Sequence, residues 1–105
     1  MNIFETIKIP RHLYQELFDC EIDPYTSDDM DGSHHQFSRA MLEAEHLVEN
    51  DFISVELSED AFVYLMNIVL PSNMEMWYSW GDLDGDNLLM EAKSLYNHFG
   101  IYCPY

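Results

Sequence analysis

Closely spaced carboxylates are the side chains of this sequence best suited to metal chemistry. Asp82, Asp84 and Asp86 alternate in the segment Asp-Leu-Asp-Gly-Asp-Asn, and alternating oxygen ligands are typical of calcium-binding loops. Counted from Asp82, however, the sixth position of such a loop is Asn87 instead of glycine, and the twelfth is Lys93 instead of glutamate. An acidic turn leading into a helix explains the same residues. A calcium-binding or halophilic acidic domain therefore stays an alternative function, and no residue is assigned as a metal ligand.

The sequence contains no recognisable catalytic or cofactor motif. It has no Gly-x-Ser-x-Gly, no phosphate-binding Walker loop and no His-Glu-x-x-His. His34 and His35 are adjacent and do not share a helix face, while His46 lies about three turns beyond His35. We therefore predict no catalytic residues, no cofactor and a role that is not enzymatic.

Net charge is the property that most restricts function. Twenty Asp and Glu residues oppose four Lys and Arg residues, which gives a formal charge of −16. Solubility of a small domain requires a net charge of only about 2–8, and excess like charge weakens the folded state. Direct binding to nucleic-acid phosphates or to anionic membranes is disfavoured. We expect the partner to be a basic protein surface, to which the charge would speed association.

The carboxylates predicted to contact this partner lie in an acidic loop and on the following helix. They are Glu21, Asp23, Asp28, Asp29, Asp31, Glu43, Glu45 and Glu49. Duplex DNA carries one charge per about 1.7 Å of its axis, and rigidly held carboxylates at similar spacing could occupy a DNA-binding groove. The sequence thus predicts an inhibitor that mimics DNA charge at a nucleic-acid-binding protein. Small acidic proteins of phages and mobile elements counter restriction or CRISPR enzymes in this way.

A second predicted interaction patch is rich in aromatic and methionine side chains. It comprises Met76, Trp77, Trp80, Asp82, Asp84 and Asp86. Aromatic residues and methionine are enriched at protein interfaces. This patch favours an alternative function as a protein-interaction module, such as an antitoxin or a small regulatory subunit. It also leaves open a homodimer in which strands of two protomers pair.

Sequence features also predict a cytoplasmic location. The N-terminus lacks the basic and apolar regions of a signal peptide, and no apolar run reaches the roughly 18 residues that span a membrane. Cys20 and Cys103 match no metal or redox spacing. Reduced thiols in a cytoplasm are the simplest interpretation.

Hydrophobic periodicity predicts a single α+β domain over residues 1–105. We expect a small antiparallel sheet of two or three strands with about four helices, in the order β-α-α-β-α-(β)-α. The predicted strands cover 3–9, 52–57 and, as the optional third, 73–80; the helices cover 10–20, 34–49, 59–70 and 87–99, with Pro71 ending the third. The strand–helix unit starting at Phe4 resembles in hydrophobicity the unit starting at Phe52. This similarity predicts that the two strands are neighbours.

Overall fold

A three-stranded antiparallel sheet and a set of helices make up the fold, in a computed structural model that describes residues 3–22, 32–45 and 48–103. The strands are β1 (Glu5–Pro10), β2 (Val48–Glu49) and β3 (Phe52–Leu57). The helices are α1 (Arg11–Glu21), α2 (Ser33–Ala44), α3 (Glu59–Tyr64), α4 (Leu70–Trp80) and α5 (Leu83–Phe99), and a π-helical turn (Leu65–Val69) joins α3 to α4. The predicted α+β class with a small antiparallel sheet is confirmed.

The central strand of the sheet is β3. It pairs antiparallel with β1, with Ile7 opposite Val55 and Ile9 opposite Ile53. These four side chains are buried, because alternate residues of a strand point to the same face and this face packs against the helices. The predicted adjacency of the first strand and the strand at 52–57 is therefore confirmed.

The third strand of the sheet is β2, and it lies elsewhere than predicted. Val48 pairs with Ile53 and Glu49 with Phe52, so only Asn50 and Asp51 remain in the connecting loop. Both loop residues have positive φ, 50° and 68°, as a two-residue type I′ hairpin requires. The prediction that the second helix extends to residue 49 was wrong, since α2 ends at Ala44 and β2 follows.

Residues 59–80 form one continuous helical segment, which corrects two predictions. Ser58 caps its start by accepting a hydrogen bond from the Ala61 N–H at 3.3 Å. The segment does not end at Pro71, because the π turn precedes this residue. Residues 73–80 are helical instead of the predicted strand. Leu70, Asn73, Met74 and Trp77 are buried, and their spacing of three, one and three residues is the period of a helix face.

Helices α4 and α5 form an antiparallel pair joined by a short turn. Gly81 ends α4 with a φ of 67°, which glycine adopts without steric cost. The Asp82 carboxylate then caps α5 by accepting a hydrogen bond from the Gly85 N–H at 2.8 Å. A Cβ atom at Gly85 would lie only 2.5 Å from the Trp77 carbonyl oxygen, so glycine permits the two helices to approach this closely.

The buried side chains form one hydrophobic cluster between the inner sheet face and the helices. Its largest fully buried members include Trp77, Tyr96 and Phe37. Within residues 3–22, 32–45 and 48–103, none of the helices combines the length and the apolar character needed to cross a membrane.

Candidate functional site

An acidic surface gathers at the C-terminal end of α2 and the adjoining strands. Glu43, Glu45 and Glu49 are exposed there. Glu56, also exposed, lines a shallow depression together with Glu43 and the helix residues Ala40 and Ala44. Glu43 and Glu56 thus line one depression, while Glu45 directly follows α2 and Glu49 lies in β2. We call these four exposed carboxylates the α2-end surface (Glu43, Glu45, Glu49 and Glu56).

Local structure explains why these side chains face outward. On α2 the buried stripe is formed by Phe37, Met41 and Ala44, which leaves the intervening Glu43 on the solvent side. On β3 the inward residues are Ile53, Val55 and Leu57, so Glu56 must point to the other face. Glu43 and Glu56 are therefore held on regular secondary structure.

Glu45 also lies beside a buried tyrosine. The Tyr14 hydroxyl donates a hydrogen bond to the Met41 carbonyl. Burial, with a smaller contribution from the Glu45 carboxylate, raises the pKa of Tyr14 to about 12. At neutral pH Tyr14 is therefore uncharged and fixes α1 against α2 close to the acidic surface.

Glu21 lies at the opposite end of α2 from Glu43, Glu45 and Glu49. Its carboxylate accepts a hydrogen bond from Asn73 Nδ2 at 2.9 Å, and its carbonyl oxygen is 3.3 Å from His34 Nε2. His34 lies in the first turn of α2 and Glu43 in its last turn, a separation of about 13 Å at 1.5 Å per residue. Glu21 is half-buried and connects α1 to α4, so it is not part of the α2-end surface.

The remaining four predicted contact residues cannot be placed. Asp23, Asp28, Asp29 and Asp31 lie outside the described residues. The described part of the predicted contact set is therefore Glu43, Glu45 and Glu49 at one end of α2 and Glu21 at the other. Glu56 was not among the predicted contact residues, although the alternation of residues 53–57 indicated its outward direction.

Three basic side chains do not neutralise the described acidic surface, namely those of Lys8, Arg11 and Lys93. None of these three lies within ion-pair distance of a carboxylate in the described ranges, where His12 and Glu91 form a contact of 3.4 Å. The Glu91 oxygen in this contact has no hydrogen-bond partner within residues 3–22, 32–45 and 48–103, so the two side chains are close without a hydrogen bond. Lys8, Arg11 and Lys93 therefore form no ion pair with the described carboxylates of the α2-end surface.

The second predicted patch is divided between the core and the surface. Trp77 is 0% exposed, and its assignment as a contact residue was wrong because α4 is a helix whose inner face carries it. Met76 is half-buried, Trp80 is 42% exposed, and Tyr78 of the same helix is 74% exposed. A helical period over residues 70–80 would have identified these faces.

The acidic residues of this second patch surround the start of α5. Asp82 is engaged as the helix cap, and Asp84 and Asp86 are exposed in the first helical turn. Negative side chains are favourable at this position, because the N-terminal end of a helix carries a partial positive charge. The alternating aspartates thus have a structural role at the turn.

The described residues contain no group of three or more His, Cys, Asp or Glu side chains arranged to hold a metal ion.

No protein-family model matches the chain, and comparison with curated proteins and with solved structures finds no match. Functional inference for this chain therefore depends on its own surfaces.

Proposed function

We propose that this protein is a non-catalytic acidic inhibitor of a basic, nucleic-acid-binding protein. Its carboxylates would occupy the positions at which the partner binds phosphates. The observation that carries the proposal is the α2-end surface, where the exposed Glu43 and Glu56 line one depression and the exposed Glu45 and Glu49 lie between α2 and β3 in the chain. Glu43, Glu49 and Glu56 lie on regular secondary structure, so little main-chain order has to be gained there on binding.

The charge and the size of the molecule are comparable with those of a short duplex. The Cα atoms extend 39 Å along the longest axis, a length over which duplex DNA carries about 23 charges at one per 1.7 Å. The chain contains 20 carboxylate residues and has a net charge of −16. A basic groove that binds DNA would therefore attract this protein electrostatically.

The proposal includes a biological setting. We place the inhibitor in a cytoplasm, acting as a phage or mobile-element counter-defence protein against a nuclease of the restriction or CRISPR type. The free thiols of Cys20 and Cys103 are compatible with that compartment. Association would be fast at low ionic strength, because opposite charges steer the two proteins together.

Partner capture at two salt concentrations tests the proposal. Tagged protein is incubated with candidate host lysates and washed at about 0.1 M and then about 0.5 M NaCl, since the higher concentration screens charges beyond a few ångströms. We expect a nucleic-acid-binding protein to be retained at low salt, released at high salt and displaced by duplex DNA. A captured partner that survives high salt and is indifferent to DNA would exclude charge mimicry.

Two triple variants with equal charge changes locate the contact. Glu43→Gln, Glu45→Gln and Glu49→Gln together alter the α2-end surface, whereas Glu75→Gln, Asp84→Asn and Asp86→Asn together alter exposed carboxylates of α4 and α5. Each triple variant removes three negative charges. We expect the first to weaken partner binding at least tenfold more than the second. The reverse order would assign the contact to the surface around the start of α5 and support the interaction-module alternative.

A further inference from the structure

A cleft of about 480 Å³ separates the outer edge of β1 from α5. Thr6, Lys8 and Pro10 line it on the strand side, and Leu95, His98 and Phe99 line it on the helix side. A second groove adjoins it and shares Pro10, Phe52 and Glu91 with it. The two together form a continuous trough that follows β1 into the start of α1.

The main chain along the strand side of this trough is free to form hydrogen bonds. Arg11 N–H donates to the Asp51 carbonyl at 2.8 Å, in line with the β1–β3 register. In an antiparallel ladder hydrogen-bonded pairs alternate with pairs that are not bonded. The pairs of Ile9 and Ile7 therefore bond to β3, and the main-chain groups of Thr6 and Lys8 point away from it into the trough.

Two further observations agree with this assignment. Pro10 occupies the next outward-facing position, where a residue without an N–H does not interrupt the ladder with β3. Within the described residues, the Thr6 and Lys8 N–H groups donate to no carbonyl outside the sheet. An unpaired strand edge of this kind is a template for one more strand.

The charge around the trough differs from that of the whole chain. Lys8 and Arg11, two of the four Lys and Arg residues of the sequence, line it together with His12 and His98. Glu91 and Asp51 line the same trough. Its Lys and Arg residues therefore equal its carboxylates in number, two of each. The whole chain has one Lys or Arg for every five carboxylates. The trough is therefore close to neutral, and an acidic side chain placed beside Lys8 or Arg11 would lie next to a cation.

We propose that the trough binds an extended peptide segment of another protein as a fourth strand on the free edge of β1. Its main chain would pair with Thr6 and Lys8, an acidic side chain would lie toward Lys8, and an apolar side chain would contact Phe52 or Phe99. The cleft accommodates about five residues, since the five residues from Thr6 to Pro10 extend about 13 Å, which is four rises of about 3.3 Å. This surface is separate from the α2-end surface.

Peptide titration followed by amide NMR tests the proposal. The probe is acetyl-Val-Glu-Val-Glu-Val-Thr-amide, whose glutamates lie on one face of an extended strand. We expect the largest chemical-shift changes at Thr6, Lys8 and the cleft side of α5, together with slower hydrogen exchange of the Thr6 and Lys8 amides. The same peptide with lysine in place of glutamate, or with alternate amides N-methylated, should bind at least tenfold more weakly. Equal binding of the N-methylated peptide would overturn strand pairing.

Protein variants separate the main-chain contact from the charge contact. Thr6→Pro removes an outward N–H and preserves the ladder with β3, and Lys8→Glu reverses the proposed charge contact. Lys93→Glu makes the same charge change at an exposed α5 position that does not line the trough. We expect the first two to raise the probe Kd at least tenfold and the third to leave it within twofold, with melting curves verifying that each variant folds.

A second copy of the chain is the competing occupant, and sedimentation distinguishes it. If β1 pairs with β1 of another protomer, the protein alone sediments as a dimer that Thr6→Pro dissociates, and this outcome would overturn the peptide proposal. A monomer whose probe binding is insensitive to Thr6→Pro and Lys8→Glu would also overturn it. A monomer with the expected loss of binding supports the proposal.

Discussion

The hydroxyl group of Tyr96 donates a hydrogen bond to the main-chain carbonyl of Met66 in the π turn. In a regular α-helix this carbonyl would accept from the Leu70 N–H, but the Leu70 N–H donates to the Leu65 carbonyl, five residues back. The next residue, Pro71, has no N–H to offer. Tyr96 of α5 therefore supplies the donor that the helix itself lacks, and the widened turn allows the helix to continue through the proline.

Removing this hydroxyl should destabilise the fold. Tyr96→Phe leaves the Met66 carbonyl buried without its donor, and we expect the free energy of unfolding to fall by about 1–3 kcal/mol. Urea denaturation followed by circular dichroism measures the change. Tyr102→Phe is the matched control, because Tyr102 is 88% exposed. A loss no larger than that of the control would show that the hydroxyl contributes no stability.

A double-mutant cycle tests the link to the proline. Pro71→Ala restores an N–H at the position where the helix lacks one, so the main chain can satisfy its carbonyls without Tyr96. We therefore expect Tyr96→Phe to cost less in the Pro71→Ala background, with a coupling energy of about 0.5–3 kcal/mol. Strictly additive changes in the free energy of unfolding would show that the contribution of the Tyr96 hydroxyl does not depend on Pro71.

Sequence patterns predicted most of the helices and two of the three strands, and they failed where a tertiary contact decides the local structure. Pro71 normally ends a helix, and the donor that prevents this is Tyr96, which is 25 residues further along the chain. Once the helix was ended at Leu70, residues 73–80 had to be interpreted separately, and the alternation of Met74, Met76 and Tyr78 favoured a strand. No local pattern contains the Tyr96 contact.

Buried tyrosines should make the protein sensitive to alkali. Burial is the main cause that raises the pKa of Tyr14 and of Tyr96 to about 12, whereas tyrosine in an unfolded chain has a pKa of about 10. Between these values the unfolded state loses the protons first, so the folded state binds more protons and stability falls as pH rises. The free energy of unfolding should be at its full value below about pH 10 and decline toward about pH 12.

Phenylalanine variants isolate the tyrosine contribution to this decline. Tyr14→Phe combined with Tyr96→Phe lowers stability at neutral pH, because two buried hydrogen bonds to carbonyls are lost. Its stability should nevertheless depend less on pH between about 10 and 12 than that of the native sequence. Denaturation midpoints measured across that range provide the comparison, with Tyr102→Phe as control. Equal slopes for the double variant and the native sequence would assign the alkaline loss to other groups.

The residues of the candidate sites could be predicted only where a single helix or strand determines whether a side chain points outward. The amphipathic pattern of α2 was enough to place Glu43 outside. The trough beside β1 was not foreseen, because it depends on which residues of the strand bond to β3, and the β1–β3 register joins residues more than forty positions apart. Trp77 was wrongly assigned to the surface for a simpler reason. Residues 73–80 were interpreted as a strand with a period of two residues, whereas they form a helix.

Close packing of α5 on α4 should make Gly85 intolerant of a side chain. Alanine is favoured over glycine in a helix by about 1 kcal/mol, yet its Cβ would lie 2.5 Å from the main-chain carbonyl oxygen of Trp77. A main-chain atom cannot rotate away, so we expect Gly85→Ala to lower the free energy of unfolding by about 1–3 kcal/mol. Asn87→Ala, at an exposed position of the same helix, controls for propensity. An increase in stability for Gly85→Ala would show that the two helices can separate easily.

Two substitutions of the same residue in the β2–β3 hairpin should have opposite effects on stability. Asp51 has a φ of 68°, which glycine adopts freely and a β-branched residue resists at a cost of about 1–2 kcal/mol. We therefore expect Asp51→Gly to maintain or raise the melting temperature and Asp51→Val to lower it. Val is well tolerated in strands, so Glu49→Val in β2 is the control for introducing this side chain. If Asp51→Val is no more harmful than Glu49→Val, the positive φ is not enforced, and the Arg11 N–H bond to the Asp51 carbonyl does not fix the turn.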